Sequence, residues 1–491
     1  MTMLSDATLG ALPPGVDPPG YDRAGLTPGI VHVGCGNFHR AHMAVYLDDL
    51  MRQGLARGWA ILGAGVRAGD AAMRAALAPQ DWMFTVIEMA PGRHSARTIG
   101  AMTGFVPVEE GNAALIAAMA DPGIRIVSLT VTEGGYFTDP DTGTFSPDHD
   151  DIRHDAAHPD APRTVFGAIV AALARRRAAD VAPFTVMCCD NLPHNGTVTR
   201  DAVTGLARLS DPGLAGWIAA NVAFPNSMVD RITPATGPRE RAIAAAFGVS
   251  DAAPVTCEDF RQWVMEDNFP QGRPPFEAAG VTFTDRVDAF EAMKIRILNG
   301  GHAIIAYPSG LAGVEHVHEA MADARLCGFL DAVLTREVVP GVAPVPGVDL
   351  MDYKALILRR FANPEVADTI RRLCLDGSNR QPKFIVPSLR DALAARRPAQ
   401  GLILLSALWC RYCAGSDEAG RVIAPNDPDW AALNERAQAA RHDPAAWLSM
   451  AKVYGDTGRD PEFAGPFAHA LAQIWSEGSA AVIDRYLAAG P

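Results

Sequence analysis

The chain of 491 residues lacks any apolar run long enough to cross a bilayer. Stretches such as GLILLSALWC fall well short of the roughly 20 residues a spanning helix needs. The N-terminal MTMLSDATLGALPPG has Asp6 and no Lys or Arg before Arg23, so it does not read as a secretory signal. Basic excess is missing too. Against 43 Lys and Arg stand 56 Asp and Glu, and the net charge of −13 argues against binding nucleic-acid phosphates or an anionic membrane surface. An anionic small molecule stays open, because a pocket's local charge need not follow the total. Cysteine is sparse: eight in this length do not suggest a disulfide scaffold, and the cytoplasm is the expected compartment. Also absent are GxSxG, GxxxxGK[ST] and HExxH, so hydrolase and kinase readings find no support.

Nor do the residues suggest a metal. Cys410 and Cys413 form a CxxC inside the apolar SALWCRYCAG, with no second pair at finger-like spacing. Cys188 and Cys189 are adjacent, so in a strand they point to opposite faces. Both groups read as core thiols. His39 with His42, and His316 with His318, have no clear carboxylate or thiol set beside them.

What is present is an ordinary globular composition, 48% hydrophobic and 20% charged, in a chain long enough for two or three domains. Short apolar runs, GIVHVG (29–34), WAILGAGV (59–66), FTVIEM (84–89), IRIVSLTV (124–131) and FTVMCC (184–189), alternate with helical patterns such as NAALIAAMA. Continuous apolar strands alternating with helices predict a parallel sheet covered on both faces. After about residue 286 helical patterns dominate and strand signals nearly vanish. The expected fold class is therefore α/β. A Rossmann-type, mostly parallel domain over 1–285 precedes a mainly helical domain over 286–491, with the boundary near QGRPPFEAAG and TFTD. Only residues 1–28, rich in proline and glycine, read as loosely structured.

The first strand runs into GCGNFHRAH, where Gly34 and Gly36 let the backbone turn tightly and approach a pyrophosphate, with Asn37 and Phe38 opening the helix. The third glycine of the usual fingerprint is replaced by His39. GxG alone is weak, and a structural turn explains it nearly as well; its place after the first strand strengthens it. The second strand ends in GAGVRAGD, so Asp70 is the acid best placed to accept from ribose hydroxyls and to repel a 2′-phosphate, favouring NAD over NADP. Arg67 weakens that preference, since a guanidinium would receive the phosphate. The duller role for Asp70 is a helix N-cap before AAMRAAL. TEGGY, with Thr132, Glu133 and Gly134, and CDNLPHNG, with Asn191, follow later strands and are expected to line the cofactor crevice. Asn195-Gly196 reads as a turn.

Lys294, Asn299 and His302 share one run, EAMKIRILNGGHAIIAY. On a helix of about 3.6 residues per turn they project within roughly 140° of one another, so one pocket can receive all three. A lysine that loses its proton, an amide donor and an imidazole can oxidise an alcohol without a metal. The bland alternative is an amphipathic helix with three incidental polar residues. For the base role the lysine pKa must fall from about 10.4 towards about 7–8, which burial and a nearby nicotinamide cation favour. Amide donors aimed at the alkoxide, worth about 2.7–4 kcal/mol each, would replace a Lewis acid. Gly300 and Gly301 cost helix stability and are read as letting a ligand approach the backbone, or more plainly as a helix end.

Together GCGNFHRAH, TEGGY, CDNLPHNG, FPNSMVDRITP and KIRILNGGH closely resemble the polyol-specific long-chain dehydrogenases, the mannitol dehydrogenase family, from about residue 28 to the C-terminus. The chain looks most like bacterial members. The resemblance implies D-mannitol + NAD+ going to D-fructose + NADH + H+, with no metal and commonly a monomer. It implies Lys294 as general base, Asn191 and Asn299 as amides holding the alkoxide oxygen, and His302 holding substrate. Glu291 matches a carboxylate that passes the proton to water, and Asp230, Arg372 and Arg380 match groups lining the sugar pocket. One departure is Gly69 before Asp70, where the family often has two acids, which relaxes the expected NADP discrimination. Readings that compete within the family are a fructuronate or tagaturonate reductase, in which an arginine grips a carboxylate, and an arabinitol or glucitol dehydrogenase. From a different class, a dinucleotide-binding sensor without turnover would not require the Lys/Asn/Asn/His set.

Overall fold

Five short apolar strands of the first half pair in parallel in the computed structural model, which describes residues 1–139 and 143–490, the side chain of Glu133 excepted. They are β1 (Pro28–Val33), β2 (Ala60–Ala64), β3 (Met102–Phe105), β4 (Ile126–Leu129) and β5 (Thr185–Cys188). Their order across the sheet is β3-β2-β1-β4-β5, every pair parallel. The chain steps outward from β1 and then returns to lay β4 on its other side. The order thus reverses between β1 and β4, and in such sheets ligands bind beyond the strands' carboxyl ends at that point. β4 and β5 are buried at every residue and β1 at all but its first, which explains runs with no polar alternation.

Two expectations need correction. FTVIEM does not join the parallel sheet. Phe84–Ala90 turns back through Gly92, at φ +69°, and pairs antiparallel with Arg93–Ile99. This hairpin belongs to a separate four-stranded sheet with Val255–Glu258 and Val16–Asp17. The chain's start is not loose either. Thr2–Met3 pairs with Val249–Ser250, Leu4 is fully buried, and Val16–Asp17 adds to the second sheet. Prolines and glycines mark the turns between these pieces and hide pairings with partners distant in sequence.

The chain divides into two compact units, Met1–Asp288 and Ala289–Pro491. Among the described residues the second unit is helical, with only isolated bridges in place of strands. At its centre runs Gln400–Cys413, buried at every residue after the first and packed against Gly300–Ala312 and Pro461–Glu477. Burial on all sides accounts for its apolar sequence. Among the described residues no helix is long and apolar enough to cross a membrane.

Candidate active site

In the first unit, Gly34 leaves β1 at φ +97°, and a Cβ there would lie 2.1 Å from the Thr130 carbonyl oxygen, so only glycine fits. Gly36 caps the short helix α1 (Asn37–Ala41), and a Cβ at Gly36 would meet nothing within 4 Å. An open approach faces first-turn amides that have no intrahelical partner, which fits a dinucleotide pyrophosphate. Asn37 offers its backbone there, because its side chain is engaged elsewhere. Nδ2 donates to Pro234 O (3.0 Å) and Thr236 Oγ1 (2.9 Å), and Oδ1 accepts from Arg40 (2.7 Å). Phe38 stacks on His42 at 4.8 Å between centroids. Two helices, Asn37–Ala41 and Met43–Arg52, follow β1, broken at His42 (φ −122°, ψ −91°). His39 is buried, stacked on His32 at 3.5 Å, and burial holds both imidazoles well below their ordinary pKa, His32 at about 3.

Asp70 lies in the first turn of Ala68–Leu77, and its Oδ2 accepts the N–H groups of Val66 (3.0 Å) and Arg67 (2.9 Å). The capping role is therefore real, exercised from inside the helix instead of from the N-cap position. Gly65 permits the fold-back, since a Cβ there would overlap the Asp70 side chain. Both bonds use one carboxylate oxygen, so the other is the one a ribose hydroxyl would meet. Arg67 is exposed, with its guanidinium 3.7 Å from where a Gly135 Cβ would stand.

Thr132 and Gly134 are exposed in the loop after β4, where Thr132 holds φ +71°; the Glu133 side chain lies outside the described residues. Asn191 is exposed just past β5. Asp230 is buried at the end of strand β6 (Ser227–Asp230), which pairs antiparallel with Gln262–Met265. Asn195 is not a turn residue. It starts the helix Asn195–Ser210, fully buried, and its amide bonds the Asp190 and Ser227 backbones. With Asp190 it was missed in the sequence, where NG reads as turn punctuation.

In the second unit Lys294 and Asn299 bound a π-helical segment between the α-helices Val287–Met293 and Gly300–Ala312. The Gly300 N–H reaches back to Ile295 O, five residues away. The regular helix assumed for this run is thus wrong locally. In the i→i+5 pattern Lys294 and Asn299 stand about one turn apart, closer to a common face than an α-helix would put them. Lys294 is 8% exposed and Glu291, a turn earlier, 7%, so both ionisable groups are largely out of water. Asn299 Oδ1 is buried with no hydrogen-bond partner. His302 stacks on Phe361 at 4.3 Å and 11°. Burial first, then the charges of Arg372, Arg360, Arg380 and Lys294, hold its pKa well below the ordinary value, so the ring is neutral.

Arg372 is exposed and forms a two-pronged pair with Asp368, Nε–Oδ1 being 2.5 Å. Arg380 donates from Nη1 to the carbonyls of Arg372 and Leu373, both at 3.3 Å. Arg360, 7% exposed, is a third guanidinium near His302 that no sequence signal singled out. Gly300 and Gly301 do not end a helix but begin Gly300–Ala312. A Cβ on them would lie 3.4 Å from Phe384 O and from the Phe361 ring respectively, an ordinary contact. Among the described residues no group of three or more His, Cys, Asp or Glu is arranged to hold a metal ion.

Sequence profiles of two domains match the chain: the mannitol dehydrogenase Rossmann domain over residues 28–278, and the mannitol dehydrogenase C-terminal domain over 286–475. Mannitol 2-dehydrogenase of Cereibacter sphaeroides is 63% identical over 471 residues, covering 96% of this chain and 98% of that protein. Mannitol 2-dehydrogenase of Pyricularia oryzae is 40% identical over 476 residues, covering 96% and 95%. Among solved structures, Pseudomonas fluorescens mannitol 2-dehydrogenase in ternary complex with NAD and D-mannitol superposes with a TM-score of 0.88, at 41% identity and 100% of both chains. D-sorbitol dehydrogenase in substrate-free form gives 0.90 at 36% identity, covering 98% of this chain and 100% of the other.

Proposed function

The chain belongs to the mannitol dehydrogenase family, and we propose that it oxidises D-mannitol to D-fructose with NAD+. It is an NAD-dependent oxidoreductase acting on CH–OH groups. Identity of 63% along nearly the whole length of a mannitol 2-dehydrogenase supports the substrate. So does the shared architecture with a relative solved with NAD and D-mannitol.

The nicotinamide, when bound, accepts the hydride from the substrate carbon. Lys294, uncharged, takes the hydroxyl proton; burial is the physical route by which a lysine gives up its own. Asn299 holds the reacting oxygen, and its orphaned Oδ1 is the observation that carries this reading. A buried amide oxygen without a partner costs about 1–3 kcal/mol, which a donating substrate hydroxyl would remove. Turned over, the same amide presents its N–H to the alkoxide. Asn191 is the second amide donor. Neutral His302 can donate to a neighbouring hydroxyl from one nitrogen and accept at the other. Glu291, one turn before the lysine, passes the proton on to water. Asp230, Arg372 and Arg380 bind the rest of the polyol. Gly34, Gly36 and the amides of Asn37 and Phe38 hold the pyrophosphate, Asp70 with Arg67 the ribose, and Thr132, Glu133 and Gly134 line the cofactor. No metal is needed, because amide N–H groups replace the Lewis acid; activity that EDTA removes and zinc restores would overturn that.

A second reading has an observation of its own. Three guanidinium groups act on His302 in a chain of net charge −13, a setting that favours an anionic substrate such as fructuronate or tagaturonate. Against it, Arg372 already faces Asp368. Glucitol and arabinitol remain alternatives, the former supported by the sorbitol dehydrogenase likeness. An NAD-linked panel of mannitol, glucitol, arabinitol and the uronate products decides. We expect the highest kcat/KM with D-mannitol, and a uronate leading the panel would replace the proposal. Eight free cysteines fit a reducing cytoplasm, and sedimentation is expected to give a monomer.

A further inference from the structure

Asp190 stands between β5 and Asn191, and groups of a different loop take up its carboxylate. Oδ1 accepts the Thr132 N–H at 3.0 Å; Oδ2 accepts the Val131 N–H at 2.9 Å and the Tyr136 hydroxyl at 2.6 Å. Tyr136 is fully buried, and its hydroxyl also lies 2.8 Å from Cys188 Sγ on β5. Thr132 is held at φ +71°, a conformation L residues rarely adopt. Three donors converging on one carboxylate need an acceptor on both oxygens, which a neutral amide of the same shape lacks.

Asn195 does the matching work on the other side. Its Nδ2 donates to Asp190 O (3.1 Å) and Ser227 O (2.9 Å), and its Oδ1 accepts the Ser227 N–H (2.9 Å). Ser227 opens β6, the strand that ends in Asp230. One carboxylate and one amide thus tie together the loops after β4 and β5 and the start of β6. Asn191 follows Asp190 directly, so the backbone that these two residues fix sets where its side chain starts.

We propose that Asp190 and Asn195 are positioning residues for hydride transfer. They hold Asn191 and the Thr132 loop at a set separation, so that the oxygen of the substrate and the cofactor are presented together. The inference rests on the reading in which Asn191 holds the reacting oxygen and the Thr132 loop meets the cofactor. Misplacing a reacting group by about 1 Å costs about 100-fold in rate.

The test is a double-mutant cycle with saturating D-mannitol, each kcat normalised to NADH sites titrated by fluorescence. Asp190→Asn is expected to lower kcat per site by about 100-fold and to raise KM for NAD. In an Asn191→Ala background it adds little further loss of kcat, because it acts through that residue. Asn195→Asp, which turns an acceptor towards backbone carbonyls, behaves alike. Losses that multiply across the cycle, or fewer titratable sites at unchanged kcat per site, overturn the inference. Normal turnover by Asn191→Ala alone overturns the catalytic reading of Asn191 and the inference with it, a distinct result. If Asp190→Asn does not fold, Tyr136→Phe replaces it in the cycle, with a smaller loss that again vanishes beside Asn191→Ala.

Discussion

Only four lysines, Lys294, Lys354, Lys383 and Lys452, stand among 43 basic residues. The rest are arginines, which do not release a proton in proteins, so the side chain at 294 is one of only four that could. Lys294→Ala is expected to cut turnover by orders of magnitude while NADH still binds by fluorescence titration; unimpaired turnover refutes the base. Lys294→Arg should fail equally, because charge is kept and basicity at neutral pH is not. Asp70 caps its own helix and, in the proposed reading, also meets the ribose. Asp70→Ala is expected to raise the ratio of NADP to NAD use, read as kcat/KM for each. It should also cost about 1 kcal/mol of stability through the lost bonds to Val66 and Arg67. An unchanged cofactor ratio with lowered stability would leave Asp70 as a cap alone.

Elements show where the sequence was readable and where it was not. Four of the five parallel strands were legible, because burial leaves a continuous apolar run; the edge strand Met102–Phe105, half-buried in its middle, was not. The π-helical turn at Lys294–Asn299 was not, since a shift from i→i+4 to i→i+5 bonding leaves the apolar spacing of KIRIL almost unchanged. Asn195 was misread because NG is a turn signal by local propensity, whereas its amide is claimed by β6, about 30 residues on. A second π-helical segment, Leu334–Val338, carries Glu337. That carboxylate accepts the Gly401 and Leu402 N–H groups at 2.7 and 2.9 Å and the Tyr486 hydroxyl at 2.8 Å, capping the central helix Gln400–Cys413. Glu337→Ala strands those donors in the interior and should cost about 1–3 kcal/mol, seen as a lowered denaturant midpoint. A midpoint within error of the parent chain would mean the helix needs no such cap.

At the scale of the molecule, His32, His39, His42 and His302 share one electrostatic state: burial keeps each pKa below 6.5. Between pH 6.5 and those lower values the unfolded chain binds protons that the folded chain refuses. Stability therefore rises with pH across that window and falls on acidification. Urea midpoints taken at about pH 7.5, 6.5 and 5.5 should decline together, and a flat series would mean that the folded protein admits those protons. Seven of the eight cysteines are buried, and burial pushes their thiols up, Cys35, Cys188, Cys257 and Cys374 to about 12. Only Cys327 is partly accessible. A pulse of alkylating reagent should therefore add a single mass increment to the native chain and further ones only as it opens. That makes the chain its own gauge of unfolding, with no label to engineer.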